Sequence, residues 1–156
     1  MFVLGVWSAL PFAPAGVRAE EPLVLAVAVN RTNPVLNLTA VQLRHLVLGE
    51  QPTWPNGKRV TIVLREPGSP ERALVGRACC RLATAEFDKV LLQSVFSGEV
   101  IGGPKVVNTP AAVRKFVALV PGAIGFLAAQ DVDDTIRTVT VDGISLTAEG
   151  YLLRSR

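Results

Sequence analysis

The chain has 156 residues, of which 49% are hydrophobic and 19% are charged, and its formal net charge is +3. At roughly 100–200 residues per domain, this length predicts a single domain. The apolar fraction and a mean hydropathy of +0.38 exclude disordered, collagen-like and low-complexity proteins. Basic and acidic residues alternate along the chain and form no basic stripe, so we expect no nucleic-acid partner.

The chain opens with an apolar stretch over residues 2–17 that contains two prolines and no charged residue. Such a stretch is more typical of a signal peptide than of a membrane-spanning helix, which needs about 20 apolar residues. We therefore expect a signal peptide over residues 1–19, a single domain over residues 20–156, and export to the periplasm or the medium. A buried N-terminal segment and an uncleaved membrane anchor remain alternatives, because no Lys or Arg precedes the apolar stretch.

Strand and helix signals alternate along the rest of the chain. Apolar runs predict strands at residues 23–29, 60–64, 106–107 and 123–127. Capping residues followed by apolar residues at helical spacing predict helices at residues 39–49, 69–82, 84–95 and 109–120, with Thr84 as the cap of the third. Residues 136–141 and 144–146 flank an Asp-Gly turn and predict a terminal hairpin or an edge pair.

The resulting order of elements is β-α-β-α-α-β-α-β followed by a short β tail. Strands that alternate with helices predict an α/β fold, here a three-layer sandwich with a mostly parallel sheet. Ligands of such sheets bind at the carboxyl ends of the strands, where helix N-termini present N–H groups without a helical partner.

The residues that would carry catalysis or hold a metal are missing from the sequence. His45 is the only histidine, and its place in the middle of a predicted helix favours a structural role. Cys79 and Cys80 are adjacent on a predicted helix, where their side chains point about 100° apart and cannot easily form a disulfide with each other. We interpret them as small packing residues, with an intermolecular bridge as the alternative. We expect no enzyme activity, no cofactor and no metal.

One group of residues has the chemistry of an anion site. Arg65 ends a predicted strand, Gly68 and Ser69 form a turn, and a helix begins at Pro70. A guanidinium, a hydroxyl and the amides of a helix N-terminus are the donors that an oxyanion needs. We therefore predict a small anion site at this strand end.

A second predicted helix start, at Asn108 and Thr109, is expected to face the first one and adds two candidate ligand-binding residues. A purely structural interpretation also remains open. In that case Ser69 only caps its helix, and Arg65 only pairs with Glu66 or Glu71.

Four motifs appear in an order that resembles a known family. They are Val29-Asn30, the leucine-rich stretch up to Gly49 with Trp54 after it, the turn from Arg65 to Ser69, and the segment from Pro121 to Phe126. Together they resemble phosphate-binding proteins of the PstS type, the substrate-binding components of phosphate ABC transporters, and more closely their short single-lobe relatives. The resemblance covers residues 23–127 and implies one lobe of a type 2 periplasmic binding protein.

In that family the matching arginine and the Ser-Gly-Thr that follows it bind phosphate where two lobes close. The resemblance assigns this role to Arg65, Gly68 and Ser69. The next two positions depart from the pattern, because Pro70 has no N–H to donate and Glu71 brings a negative charge. Trp54 is interpreted as a packing residue of the fold.

The resemblance implies an exported, non-enzymatic protein that binds phosphate or another small oxyanion weakly, beside a membrane transporter or a sensor. The departures at Pro70 and Glu71 favour an alternative, which is an interaction or regulatory module that has kept the fold and lost the ligand. A homodimer would fit that alternative.

Overall fold

Strands and helices alternate in the computed structural model, which describes residues 21–98 and 103–156. The predicted signal peptide, residues 1–19, lies outside the described residues. The strands are β1 (Leu25–Val29), β2 (Asn37–Leu38), β3 (Thr61–Arg65), β4 (Lys105–Val107), β5 (Ala123–Ala128) and β6 (Arg137–Val141). The helices are α1 (Ala40–Val47), α2 (Pro70–Cys80), α3 (Thr84–Phe96) and α4 (Pro110–Leu119).

Within the described residues the six strands form one sheet in the order β2-β6-β1-β5-β3-β4. β3 is parallel to both β4 and β5, and β2 is parallel to β6. β1 alone is reversed, since it pairs antiparallel with β5 and β6. Five of the six strands therefore run in one direction, and the prediction of a mostly parallel sheet is confirmed.

The two faces of the sheet are covered by different helices, which makes three layers. Side chains of β3 alternate between the faces, as the period of a strand requires. Ile62 and Leu64 belong to the larger core with α1, α2 and α3, whereas Val63 belongs to the smaller core with Val113 and Val117 of α4. The predicted three-layer α/β sandwich is thus confirmed.

The structure corrects three local predictions. Residues 136–146 are predicted to form a terminal hairpin or an edge pair, but β6 lies between β1 and β2, and the two-residue strand β2 takes the edge position instead. The predicted partner of β6 is reduced to a single bridge between Val141 and Ile144. Thr84 is not the cap of α3. It is the first helical residue, and Ala83 stands at the cap without a side-chain hydrogen bond.

The beginning and the end of the described chain pair with each other. The Leu25 N–H donates to the carbonyl of Leu153 (2.9 Å), and the Ser155 N–H donates to the carbonyl of Leu23 (2.8 Å). The tail runs antiparallel to the chain just before β1, as the bridge between Val24 and Arg154 shows.

The two ends of the sheet hold different residues. At the carboxyl end, β3 finishes at Arg65 and β4 at Val107. At the amino end, β3 and β5 begin, and the reversed strand β1 finishes. The terms carboxyl end and amino end are used below in this sense.

Candidate functional site

The turn between β3 and α2 lies at the carboxyl end, next to the end of β4. Arg65 pairs in register with Val107, and the Glu66 N–H donates to the Val107 carbonyl at 3.1 Å. The two helix starts that follow β3 and β4 are therefore on neighbouring strands.

Local sequence determines how the first of these helices begins. Gly68 has a φ of +92°, a left-handed conformation that glycine adopts without a steric penalty. The hydroxyl oxygen of Ser69 accepts the N–H of Arg72 at 3.3 Å, and Pro70 occupies the first helical position. Ser69 is only 5% exposed, and its hydroxyl is already used as the cap of α2.

Arg65 is held by two carboxylates of its own loop and helix. Its Nε and one terminal nitrogen donate to the two carboxylate oxygens of Glu66, at 2.9 and 3.0 Å. The other terminal nitrogen donates to Glu71 at 3.2 Å. The Arg65 side chain is 12% exposed, compared with 16% for Glu71 and 36% for Glu66. Glu66 is thus the outer carboxylate and Glu71 the inner one.

These contacts shift the pKa values of both members of the outer pair. The pKa of Arg65 is raised, chiefly by its hydrogen bond to Glu66, while burial opposes the shift and the charges of Glu71 and Asp131 add to it. The pKa of Glu66 is lowered, chiefly by the same hydrogen bond. Both groups are therefore charged at neutral pH, and the guanidinium is surrounded by negative charge.

Glu71 has one oxygen that its contacts do not satisfy. Its Oε2 atom is buried and has no hydrogen-bond partner among the described residues. The carboxylate also lies in the first turn of α2, where the helix dipole favours a negative charge. Glu71 therefore already places a negative charge at the helix N-terminus, where an anion would otherwise be favoured.

Arg72 holds the backbone at Arg65 in place, and sequence reasoning missed it. It is 6% exposed, its Nε donates to Asp88 of α3 at 2.8 Å, and a terminal nitrogen donates to the backbone carbonyl of Arg65 at 3.2 Å. Its guanidinium also lies 6.0 Å from the ring centre of Phe87. The one available signal was an arginine three residues after the cap, where its positive charge opposes the helix dipole.

The second helix start has a more open environment. Thr109 caps α4 by accepting the N–H of Ala112 at 3.0 Å, and the first turn of this helix contains no acidic residue. Asn108 and Thr109 are both exposed. The structure thus places Arg65, Gly68, Ser69, Asn108 and Thr109 at one end of two paired strands.

Trp54 and Gly122 lie at the amino end and have a packing role. The indole N–H of Trp54 donates to the carbonyl of Gly122 at 2.9 Å, and Trp54 is buried. Gly122 approaches the backbone so closely that a Cβ atom there would lie 1.8 Å from the carbonyl oxygen of Arg59. This close contact explains why the segment needs a glycine.

The two cysteines and the histidine take no part in the site. Cys79 and Cys80 are buried and form no disulfide. Burial raises the pKa of the Cys79 thiol well above its usual range and that of Cys80 to about 11, so both thiols are protonated and unreactive at neutral pH. His45 is half exposed on α1 and pairs with Glu50.

A separate groove of about 430 Å³ lies toward the amino end, between α1, α3 and the segment that leads into β3. Its walls are mainly apolar and include Leu46, Pro52, Ile62, Leu91 and Pro104. It lies away from Arg65 and shares no residue with the candidate anion site.

Residues 21–98 and 103–156 contain neither a cluster of potential metal ligands nor a helix that is long and apolar enough to cross a membrane.

No protein-family model matches the chain. Solved structures do share its fold. It superimposes with a TM-score of 0.70 on an ABC-type phosphate transport receptor from Vibrio cholerae, at 22% identity over 86% of this chain and 54% of that chain. A putative phosphate ABC transporter substrate-binding protein with bound phosphate from Clostridium perfringens gives 0.65, at 22% identity over 81% and 48%. PstS from Borrelia burgdorferi gives 0.68, at 13% identity over 86% and 55%.

These superpositions establish the fold and not the ligand. The chain spans about half the length of the proteins that it matches. The prediction of a fold like that of a periplasmic binding protein is confirmed, and the structures it resembles are described as receptors or binding proteins.

Proposed function

We propose that the chain is an exported, non-enzymatic relative of phosphate-binding proteins, and that it binds phosphate or another small oxyanion weakly at the carboxyl end of β3 and β4. The observation that supports this most is the position of Arg65 beside two helix N-termini on paired strands. The fold is shared with a protein whose structure contains phosphate.

The donors of the site would have distinct roles. Arg65 supplies a planar fork that can bind two oxygens of one anion. The turn at Gly68 and Ser69 brings the amide end of α2 to the same place, and Asn108 and Thr109 provide exposed polar groups from the neighbouring strand end. The nearby carboxylates of Glu66 and Glu71 oppose anion binding, which is why the proposed affinity is low.

Titration calorimetry with phosphate and with sulfate tests this function. We expect binding at millimolar anion in the mature chain and its loss in Arg65→Ala and Arg65→Lys, since lysine keeps the charge but cannot form a fork. Arg44→Ala, an exposed arginine of α1, is the matched control and should bind as the unmodified chain does. Absence of heat from a folded, unmodified chain at 10 mM anion would refute the proposal.

A second function is favoured by one observation, namely that Arg65 already has three hydrogen bonds to Glu66 and Glu71. A site satisfied by its own chain suits an interaction or regulatory module that binds no anion. Such a module would contact a transporter, a sensor or a second copy of itself. Light scattering that finds a concentration-dependent dimer, together with silent calorimetry, would favour this alternative.

Export is the remaining part of the proposal. Expression of the full chain in a Gram-negative host, followed by cell fractionation and N-terminal sequencing, should find a periplasmic protein that begins at Glu20. Retention of residues 1–19 would favour a membrane anchor or a buried N-terminal segment.

A further inference from the structure

We propose that Glu66 is a built-in competitor for the anion site, and that an oxyanion binds to Arg65 only by displacing the Glu66 carboxylate. This inference rests on the proposed function and assigns a regulatory role to a residue of the same turn. It also identifies the ligand class by its chemistry, as a planar or tetrahedral oxyanion with two oxygens available to one guanidinium.

The Glu66 carboxylate binds Arg65 with the same geometry that an external oxyanion would use. The two oxygens of Glu66 accept hydrogen bonds from the Nε and a terminal nitrogen of Arg65 at 2.9 and 3.0 Å. This is the two-point arrangement that carboxylates and phosphates adopt on arginine. An external anion that used the same edge of the guanidinium would have to occupy the same positions. While the Glu66 carboxylate is bound to Arg65, it therefore excludes such an anion.

Glu66 can leave this position without disturbing the fold. At 36% exposure its side chain is the outermost part of the cluster, whereas Glu71 is 16% exposed. The backbone of Glu66 is fixed independently, because its N–H donates to Val107 and its carbonyl accepts the N–H of Ser69 at 3.2 Å. Displacement therefore needs only a rotation of the side chain into solvent.

Glu71 and Arg72, unlike Glu66, are held in the cluster by their positions in α2. Glu71 makes a single contact to Arg65, at 3.2 Å, from within the first turn of α2. Arg72 is tied to Asp88 and to the Arg65 carbonyl. Glu71 therefore keeps its contact to the guanidinium after Glu66 has left, and Arg72 still holds the backbone at Arg65.

The size of the effect follows from competition. When the competent state is only a fraction of the population, the apparent affinity falls by that fraction. A tethered group acts at an effective concentration on the order of millimolar, so a free anion must reach a similar concentration to compete. With Glu66 displaced in about a tenth or less of the molecules, Glu66→Gln, which cannot form a charged fork, should strengthen phosphate and sulfate binding at least about tenfold.

The experiment compares four chains by titration calorimetry with inorganic phosphate and with sulfate at constant ionic strength. They are the unmodified chain, Glu66→Gln, the double variant Arg65→Ala/Glu66→Gln, and Glu149→Gln as a matched control. Glu149 is exposed and remote in sequence from the turn, so its substitution removes the same charge without releasing Arg65. Thermal unfolding of each chain verifies folding, and Glu66→Ser replaces Glu66→Gln if that variant is unfolded.

The inference is supported if Glu66→Gln binds at least tenfold more tightly than both the unmodified chain and Glu149→Gln, and if the double variant loses this binding. Equal affinity of Glu66→Gln and the unmodified chain overturns the inference and leaves the proposed function standing. An equal gain in both glutamine variants also overturns it, because the effect is then one of net charge. Absence of binding in every folded chain overturns both proposals.

Discussion

The amino end and the carboxyl end of the sheet are organised differently, although both contain motifs of the family that the chain resembles. At the amino end, Trp54 and Gly122 are buried in direct contact and their roles are steric. At the carboxyl end, Arg65 and Glu66 are partly exposed and held by charge. Packing at one end can thus preserve the lobe while the chemistry at the other end changes.

The largest expected effect concerns the amino end, where Gly122→Ala tests the steric role. The added Cβ would lie 1.8 Å from a backbone oxygen, so β3 and β5 cannot both keep their positions. We expect the free energy of unfolding to fall by more than about 4 kcal/mol, within the range reserved for severe substitutions. Urea denaturation measures this.

The control for this prediction is Gly143→Ala. Gly143 also has an unusual backbone, with a φ of +74°, but no atom lies within 4 Å of an added Cβ. Gly143→Ala should lower the free energy of unfolding by only about 1–2 kcal/mol, which is the penalty of the left-handed conformation. Similar losses in both variants would contradict the steric explanation.

The second largest expected effect is at the carboxyl end and concerns Arg72. This residue is charged like its neighbours, but its role is structural, as the roles of Trp54 and Gly122 are at the amino end. Arg72→Ala removes the partner of Asp88 and of the Arg65 carbonyl. Breaking a fully buried pair costs roughly 3–5 kcal/mol, and the partial exposure of Asp88 reduces this to about 2–3 kcal/mol. Urea denaturation should show this loss and should show little change for Arg77→Ala, an exposed arginine of the same helix.

Features of the fold and the candidate site could be predicted where neighbouring residues determine them, and were missed where contacts between distant segments do. The caps at Ser69 and Thr109 were predicted because a hydroxyl before proline acts within one turn. β2 was missed because its two residues carry no apolar run and are held only by pairing with β6. The reversed direction of β1 was missed for a similar reason, since an apolar run does not encode strand direction. The site residues were placed at one strand end, but the fork between Arg65 and Glu66 could only be stated as one of two alternatives.

The two helix caps allow a finer test of the carboxyl end. Ser69→Ala leaves a buried N–H without its acceptor, whereas water can replace the exposed hydroxyl of Thr109. Cap removal costs about 0.5–2 kcal/mol, and we expect Ser69→Ala near the upper limit and Thr109→Ala near the lower one. Thr84→Ala, which removes no cap, should change the free energy of unfolding least. Equal losses at Ser69 and Thr109 would mean that burial does not distinguish the two helix starts.

The smallest effect concerns Tyr151, the only tyrosine, whose hydroxyl donates to the carbonyl of Leu25 at 2.8 Å. Burial raises the pKa of this phenol to about 12. Because the folded pKa is raised, the stabilisation is complete below the ordinary pKa of about 10 and is lost as the pH rises through about 12. Absorbance at the tyrosinate band should therefore titrate late in the folded chain and near pH 10 in denaturant. A midpoint near 10 in both would contradict the packing seen around Tyr151.

The pairing between Leu23 and Ser155 has a mechanical consequence. Because the two segments are antiparallel and leave the sheet side by side, a force that pulls residues 21 and 156 apart loads their hydrogen bonds one after another, as in unzipping. Only β5 separates β1 from β3, so this seam opens about 10 Å from the strand that carries Arg65. Tension between the two segments would thus act first at the carboxyl end of the sheet, where the candidate anion site lies.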